Sequence, residues 1–392
     1  MKILIPNASS PKNIGDLAIL TGLLRCLRIR NKDVIIHSVD HRLHRNLPAR
    51  TQPTLYSWAI FENRNPFVRS KRLVELLLHT SVISSSIKGL RPKRLSTLMD
   101  DYETADIILF TGGGYLRSQK GVTQILNLVM ILLMFYVAQR MRAKTIVAPI
   151  SFGPFGYRWQ EKVSASVLGK FHTVFLRENT SYSMLKKYNL KNLKLSTDTS
   201  LFLPAFKQEP NEKEPYILGF TIRKWLSPIK QRKFEREFSK SIIEFSKNVP
   251  YVIRPIIQVD APEYGDVDLK VTYRIIKNLK QNGIKVLPVQ KVKDLKHAQT
   301  VYSGIDLLLG MRMHSNILSA LAGTPFVAIA YEHKTTGISQ DLGVKEYCID
   351  VRKVTKEKLL DLLAAAHENN SEIKQTLHSK IKEIQASKIN FI

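Results

Sequence analysis

Asp306-Leu307-Leu308-Leu309-Gly310-Met311-Arg312-Met313-His314-Ser315-Asn316 reads as a strand running into a helix. The apolar run Ile305–Leu309 has the length and composition of a buried strand in a parallel sheet. Ile317, Leu318 and Leu321 then fall at helical spacing, up to Gly323. Arg312 and His314 therefore belong to a strand-to-helix junction, the edge at which open α/β sheets bind ligands. A second apolar run, Phe326–Ala330, precedes Lys334 and should bring it to the same edge. A guanidinium fork, a proton carrier and a second cation converging there suit an anionic substrate that must be protonated. A histidine taken alone reads more readily as a packed core residue. Arg312, two positions earlier, gives His314 its functional reading.

The same alternation extends in both directions. Strands are expected at Lys2–Pro6, Val34–Ser38, Ile107–Thr111, Thr145–Ile150, Thr173–Leu176 and Lys194–Ser196. Helices are expected at Asp16–Arg28, Gln124–Arg142 and Ser181–Lys187. Pro204–Pro215, with three prolines among polar residues, reads as a linker. The pattern then restarts with strands at Ile217–Thr221, Tyr251–Ile257, Lys285–Pro288, Ile305–Leu309 and Phe326–Ala330. Helices at Phe234–Lys247, Val267–Gln281 and Asn316–Leu321 lie between or after them. The expected architecture is α/β: two Rossmann-like lobes facing a central cleft. One lobe spans 1–205 and the second, carrying Arg312 and His314, spans 206–370. A polar amphipathic helix within 371–392 is expected to pack back across them.

At 392 residues the chain is long enough for two cores, and its 44% hydrophobic and 24% charged content is ordinary for a globular protein. Cys26 and Cys348 match no metal-ligand spacing and read as reduced core residues, which points to a reducing, cytoplasmic compartment. Met1–Pro6 reads as a first buried strand rather than a signal peptide. The apolar run Ile125–Ala138 is shorter than the roughly 20 residues that cross a bilayer and reads as a buried helix.

The net charge of +27, from 60 Lys+Arg against 33 Asp+Glu, is unusual. One reading is a merely soluble basic surface. The excess is concentrated, however: His41–Arg94 holds 11 Lys+Arg against Glu62 and Glu75. Within it, Phe67–Leu78 is an apolar stretch with a cationic start, including Arg69, Lys71 and Arg72. That suits docking on an anionic membrane surface or on a lipid-linked anionic substrate. Nucleic acid is the rival partner, but no zinc knuckle or aromatic RNA-binding signature is present, so none is expected.

Three further motifs end strands. Asn13-Ile14-Gly15-Asp16 precedes a helix; free N–H groups there attract anions, and Asp16 is either a simple N-cap or a functional group. Gly112-Gly113-Gly114 follows an apolar strand and would let backbone N–H groups line a ligand pocket. Leu176-Arg177-Glu178 closes another strand, where Arg177 is either a structural ion pair or a substrate cation. Neither Gly-x-Gly-x-x-Gly after the first strand nor a Walker A sequence occurs, which weighs against dinucleotide and P-loop readings.

Taken in order, these pieces resemble the polysaccharide pyruvyl transferase family. The resemblance rests on Asn13–Asp16, Gly112-Gly113-Gly114-Tyr115-Leu116, Ser151-Phe152-Gly153-Pro154-Phe155, Leu176–Glu178 with Ser181, and Asp198 before Leu201. It continues through Arg312–Ser315, Gly323-Thr324-Pro325, Tyr331 and Lys334. The resemblance implies a GT-B-like fold and phosphoenolpyruvate as donor. It implies a saccharide or lipid-linked saccharide acceptor in cell-surface polysaccharide synthesis, and a pyruvate ketal as product. It places the family's functional residues at Arg177, Arg312, His314 and Lys334. His314 is then the candidate general acid, with Arg312 and Lys334 as catalytic cations. Arg177, Asn13, Asp16 and Gly112–Gly114 are the candidate substrate-binding residues. Phosphoenolpyruvate would be a substrate, so no cofactor and no metal is expected. Two rival readings remain: a nucleotide-sugar glycosyltransferase of the same fold, and a non-catalytic glycan- or membrane-binding subunit. The enzyme is expected in the cytoplasm, at the inner face of the membrane if the basic segment docks there.

Overall fold

Uninterrupted runs of Ile, Val, Leu and Phe, buried on both faces, build two parallel sheets. The computed structural model describes residues 1–27, 33–44, 49–61, 65–80, 92–206, 215–261, 266–387 and 389–391. Strands β1 (Ile3–Ala8), β2 (Val34–Ser38), β3 (Arg50–Pro53), β4 (Ile107–Phe110), β5 (Lys144–Ile150), β6 (Thr173–Leu176) and β7 (Leu193–Leu195) form the first sheet. Its order is β3-β2-β1-β4-β5-β6-β7, and every pairing is parallel.

The second sheet uses β8 (Tyr216–Thr221), β9 (Tyr251–Ile257), β12 (Gln290–Lys291), β13 (Leu307–Gly310), β14 (Phe326–Ala330) and β15 (Cys348–Asp350). Its order is β12-β9-β8-β13-β14-β15, again all parallel. The short strands β10 (Asp260–Ala261) and β11 (Asp266–Val267) pair with each other in antiparallel fashion.

The chain divides into two compact units. The first comprises Met1–Pro11, Leu23–Thr199 and Ile389–Ile392; the second comprises Lys12–Gly22 and Ser200–Lys388. The start of the helix Ile14–Leu27 thus belongs to the second unit, where Ile14 and Ala18 join a core with Phe220, Leu309 and Ile317. The helix Asn370–Ala386 contributes Ile373, Leu377 and Ile381 to that same core.

Several expectations are corrected. Lys285–Pro288 is not a strand: only Val286 bridges to Ile253, and the β9 partner is β12, two residues beyond Pro288. Proline has no N–H to give a ladder, so pairing resumes only after it. The apolar helix runs over Val122–Gln139 and is long and apolar enough to cross a membrane, yet only 33% of it is buried. It is therefore not a buried core helix: Leu128, Phe135 and Val137 face the core while Leu126 and Val129 face outward. Cys26 and Cys348 are half-buried and form no disulfide. Residues 207–214 of the expected linker lie outside the described residues, as do Arg45, Arg64, Lys88 and Arg91 of the basic segment.

Candidate functional site

β8, β13 and β14 are adjacent parallel strands, so their carboxyl ends open side by side. The residues that follow them are Arg223 after β8, Arg312 and His314 after β13, and Tyr331, Glu332 and Lys334 after β14. All lie in the second unit. The expected junction is confirmed in detail: Arg312 is the N-cap residue of the helix Met313–Leu321, in extended backbone, and His314 occupies its first turn.

His314 packs on a glycine. A Cβ added to Gly15 would stand 2.3 Å from the His314 Nδ1 atom and 2.6 Å from its Cγ, so any side chain at position 15 displaces the imidazole. The Asn13 side chain holds this approach in place. Its Oδ1 accepts the Gly15 N–H at 3.1 Å, its Nδ2 donates to Asp16 Oδ2 at 3.0 Å, and its backbone bridges to Val259. Asn13 is thus the N-cap of the helix, and Asp16 is a first-turn acid held by Asn13 rather than the cap itself. We expect Gly15→Ala to lower the melting temperature, because the added Cβ would also stand 2.9 Å from the His314 Cβ, which rotation of the imidazole cannot move. Activity should fall about 10²-fold, the scale set by an ångström's misplacement of a reacting group. Unchanged activity in a folded Gly15→Ala protein would show that His314 need not hold this position.

The guanidinium of Arg312 is already engaged. Its Nε donates to Asp268 at 3.0 and 3.2 Å, and its Nη2 donates to Asp268 Oδ1 at 2.5 Å. Asp268 is fully buried and Arg312 nearly so. The fork expected to grip substrate instead grips a carboxylate at the N-terminus of the helix Leu269–Gln281. Lys334 also has an acid beside it, with Nζ 2.6 Å from Glu332.

Around Tyr331 the cations converge. Arg223 Nη1 donates to the Tyr331 hydroxyl at 3.2 Å, and its guanidinium carbon lies 5.0 Å from that ring and 5.3 Å from the Trp225 ring. Lys334 Nζ lies 5.5 Å from the Tyr331 ring, and the Trp225 and Tyr331 rings are 4.7 Å apart. Gln231 fixes the loop that presents them, accepting the N–H groups of Trp225 and Leu226 at 3.0 and 3.1 Å. Burial alone would raise the Tyr331 phenol, but the fields of Lys334, Arg223 and Arg312 outweigh burial and Glu332, leaving it below the ordinary value.

The remaining candidates lie in the first unit. Arg177 is buried, donating from Nε to Ser151 Oγ at 2.7 Å and from Nη1 to Asp198 Oδ2 at 2.7 Å, with Glu178 at 3.5 Å. Glu178 in turn accepts from Ser151 and Ser181. This is a closed ion-pair network. Gly113 also departs from expectation, since its N–H donates to the Pro149 carbonyl at 3.1 Å and its carbonyl accepts from Ser151 N–H at 2.9 Å. Its backbone extends the sheet and leaves no N–H there for a ligand. Arg223, Asp268 and Tyr331 had no place among the sequence-derived candidates. Two of them carried a usable signal: Arg223 is a cation two residues past an expected strand, and Tyr331 is one of the residues on which the family resemblance rests.

The chain is 23% identical to the amylovoran biosynthesis protein AmsJ of Erwinia amylovora, over 98% of this chain and 96% of that protein. Its fold is similar to Anabaena HepE, solved with UDP and glucose, at a TM-score of 0.57 and 13% identity, covering 100% of this chain and 96% of that one. It is also similar to the UDP-GlcNAc 2-epimerase from Methanocaldococcus jannaschii, at a TM-score of 0.55 and 12% identity over 93% and 92% of the two chains. At such identities the likeness is one of fold, and that fold is GT-B-like. Residues 13–333 match the polysaccharide pyruvyl transferase family, from the Asn13–Gly15 cradle to just beyond Tyr331, and the chain belongs to that family.

Proposed function

We propose that this enzyme transfers the pyruvyl group of phosphoenolpyruvate to a hydroxyl of a cell-surface saccharide or its lipid-linked precursor, closing a pyruvate ketal. The observation that carries the reading is the cluster at the ends of β8, β13 and β14. There a histidine, three cations and a phenol gather at one sheet edge.

The chemistry assigns a task to each group. Protonation of the enol methylene carbon by His314 leaves an oxocarbenium-like centre at C2. The acceptor oxygen bonds to that carbon as its proton passes to the Tyr331 phenolate. A second acceptor hydroxyl then displaces phosphate, which leaves with the C–O bonding pair, while that hydroxyl's proton returns to the now neutral His314 and the ketal closes. Arg223 and Lys334 supply positive charge for the donor's phosphate and carboxylate, while Arg312, tied to Asp268, adds its field. Arg177, Asn13, Asp16 and Gly112–Gly114 serve as structural supports in this scheme.

Incubating the purified protein with a saccharide acceptor and either phosphoenolpyruvate or UDP-sugars tests the reading. Release of inorganic phosphate together with a pyruvylated product supports it. Release of UDP and a glycosylated product would replace it with nucleotide-sugar transfer. The Tyr331 assignment predicts a pH dependence with a definite sign. The rate should rise with pH as the phenol ionises, because the base is needed unprotonated. Arg223→Gln removes one cation favouring phenolate, so this limb should move to higher pH. Tyr331→Phe should lose the limb and about 10²-fold in rate. An identical pH profile in the Arg223→Gln enzyme would remove Tyr331 from the mechanism and leave the donor assignment standing.

A further inference from the structure

The first unit carries a face that nothing in the transfer chemistry uses. The helices Val122–Gln139 and Arg158–Leu168 run side by side in the same direction. Their starts are joined through Ser118, whose hydroxyl donates to the Gln124 carbonyl at 3.1 Å and accepts from Gln160 Nε2 at 2.9 Å. Near their ends, Gln139 Nε2 donates to the Val167 carbonyl at 2.7 Å. Val122, Leu126, Val129 and Tyr136 fall on one stripe of the first helix, and Trp159 and Val163 on one stripe of the second. All six are exposed, Val122 by 74% and Leu126 by 57%. A contiguous apolar face of this kind on a folded unit marks an interaction surface.

Charge decides the occupant. Between Tyr115 and Lys170 the sequence holds eight Lys+Arg (117, 120, 140, 142, 144, 158, 162 and 170) and one acid, Glu161. That acid is already ion-paired with Lys187 Nζ at 2.5 Å. Lys120, Arg140, Arg142, Arg158 and Lys162 are exposed around the apolar centre. Two of them lie over aromatic rings, Lys120 over Tyr157 at 5.8 Å and Arg140 over Tyr136 at 5.6 Å. A second copy of the chain would bring like charge against like charge. An apolar centre with a Trp, two Tyr and a cationic rim instead matches the interface of an anionic bilayer. We infer that this face docks the enzyme on an anionic lipid surface. The helices lie in the interfacial plane, with Trp159 and Leu126 in the acyl boundary and the rim cations at the headgroups.

The expected segment 41–94 plays a smaller part. Its helix Pro66–Thr80 exposes Phe67 and Val74, but Arg72 donates to the Trp58 carbonyl at 2.9 Å and lies over the Trp58 ring. The inference is independent of which donor the enzyme uses.

Flotation of the whole chain with vesicles tests it. Binding is expected to vesicles of phosphatidylglycerol with phosphatidylcholine and not to phosphatidylcholine alone. It should weaken as salt rises, since surface charge is screened within about 10 Å at 0.1 M. Leu126→Asn and Trp159→Ser should each weaken binding about tenfold, with circular dichroism and melting temperature unchanged. Trp159 emission should shift to the blue on vesicle addition, a change lost in Trp159→Phe. Equal binding to neutral vesicles, or none to anionic ones, overturns the inference. So does binding lost only in a variant with Arg69, Lys71 and Arg72 changed to Glu. A solution dimer that Leu126→Asn dissolves would assign the face to a second copy. Resistance of the membrane-bound enzyme to carbonate extraction would make Val122–Gln139 a span.

Discussion

His314→Ala is expected to fold normally and to lose pyruvyl transfer by about 10²-fold or more, the scale for removing a positioned general acid. The structure gives two reasons for so large a loss. The ring is held at a defined place, on Gly15 and one residue inside a helix start, so no neighbour substitutes for it. It also stands two residues from Arg312 and across one strand pair from Tyr331 and Lys334, where the reacting groups converge. Single-turnover measurement of phosphate release, with the melting temperature as the folding control, checks this. Near-normal turnover in a folded variant would move His314 to a packing role.

The second large effect is on stability. Asp268→Ala should destabilise the protein by about 3–5 kcal/mol, because it strands the Arg312 charge in a buried place. The pair is bidentate and removed from water on both sides, so the guanidinium loses its bidentate counter-charge in a buried place once the carboxylate is gone. Arg312→Lys should also be severe, since a point charge cannot reproduce the two-point grip. The double change Asp268→Ala with Arg312→Met should recover much of the loss, as neither charge then remains buried. Denaturant titration of the four proteins measures it. A single-variant loss within about 1 kcal/mol, the scale of an exposed pair, would show that Arg312 is not tied down.

Where the sequence was legible, a physical rule made it so. β2, β9 and β14 lie where the apolar runs predict them, because a strand buried on both faces carries its signal in every residue. β3, β12 and β15 were not foreseen. All three belong to the edges of their sheets, and β3 and β12, reading Arg-Thr-Gln-Pro and Gln-Lys, owe their strand character to the neighbour that pairs with them. The site divides in the same way. Arg312, His314 and Lys334 were readable from their places after apolar runs. Asp268 was not, because nothing in a chain announces that a helix cap will meet an arginine 44 residues away. Asn13–Asp16 was legible as a motif before a helix, but the packing of His314 on Gly15 emerged only with the fold.

The second unit takes Lys12–Gly22 from the start of the chain and everything else from Ser200 onward. During synthesis, that opening segment must therefore wait for nearly two hundred residues of other structure before its own core partners emerge. Ile14 and Ala18 remain unburied through that interval, and contacts so distant in sequence slow assembly. Modular dissection meets the same obstacle. A fragment beginning at Ser200 contains His314 but lacks the glycine it rests on, and one ending at Thr199 carries a helix start whose core lies on the other piece. A chain that carries residues 12–22 on a linker to the segment from Ser200 onward is the form in which the half bearing His314 could be made whole.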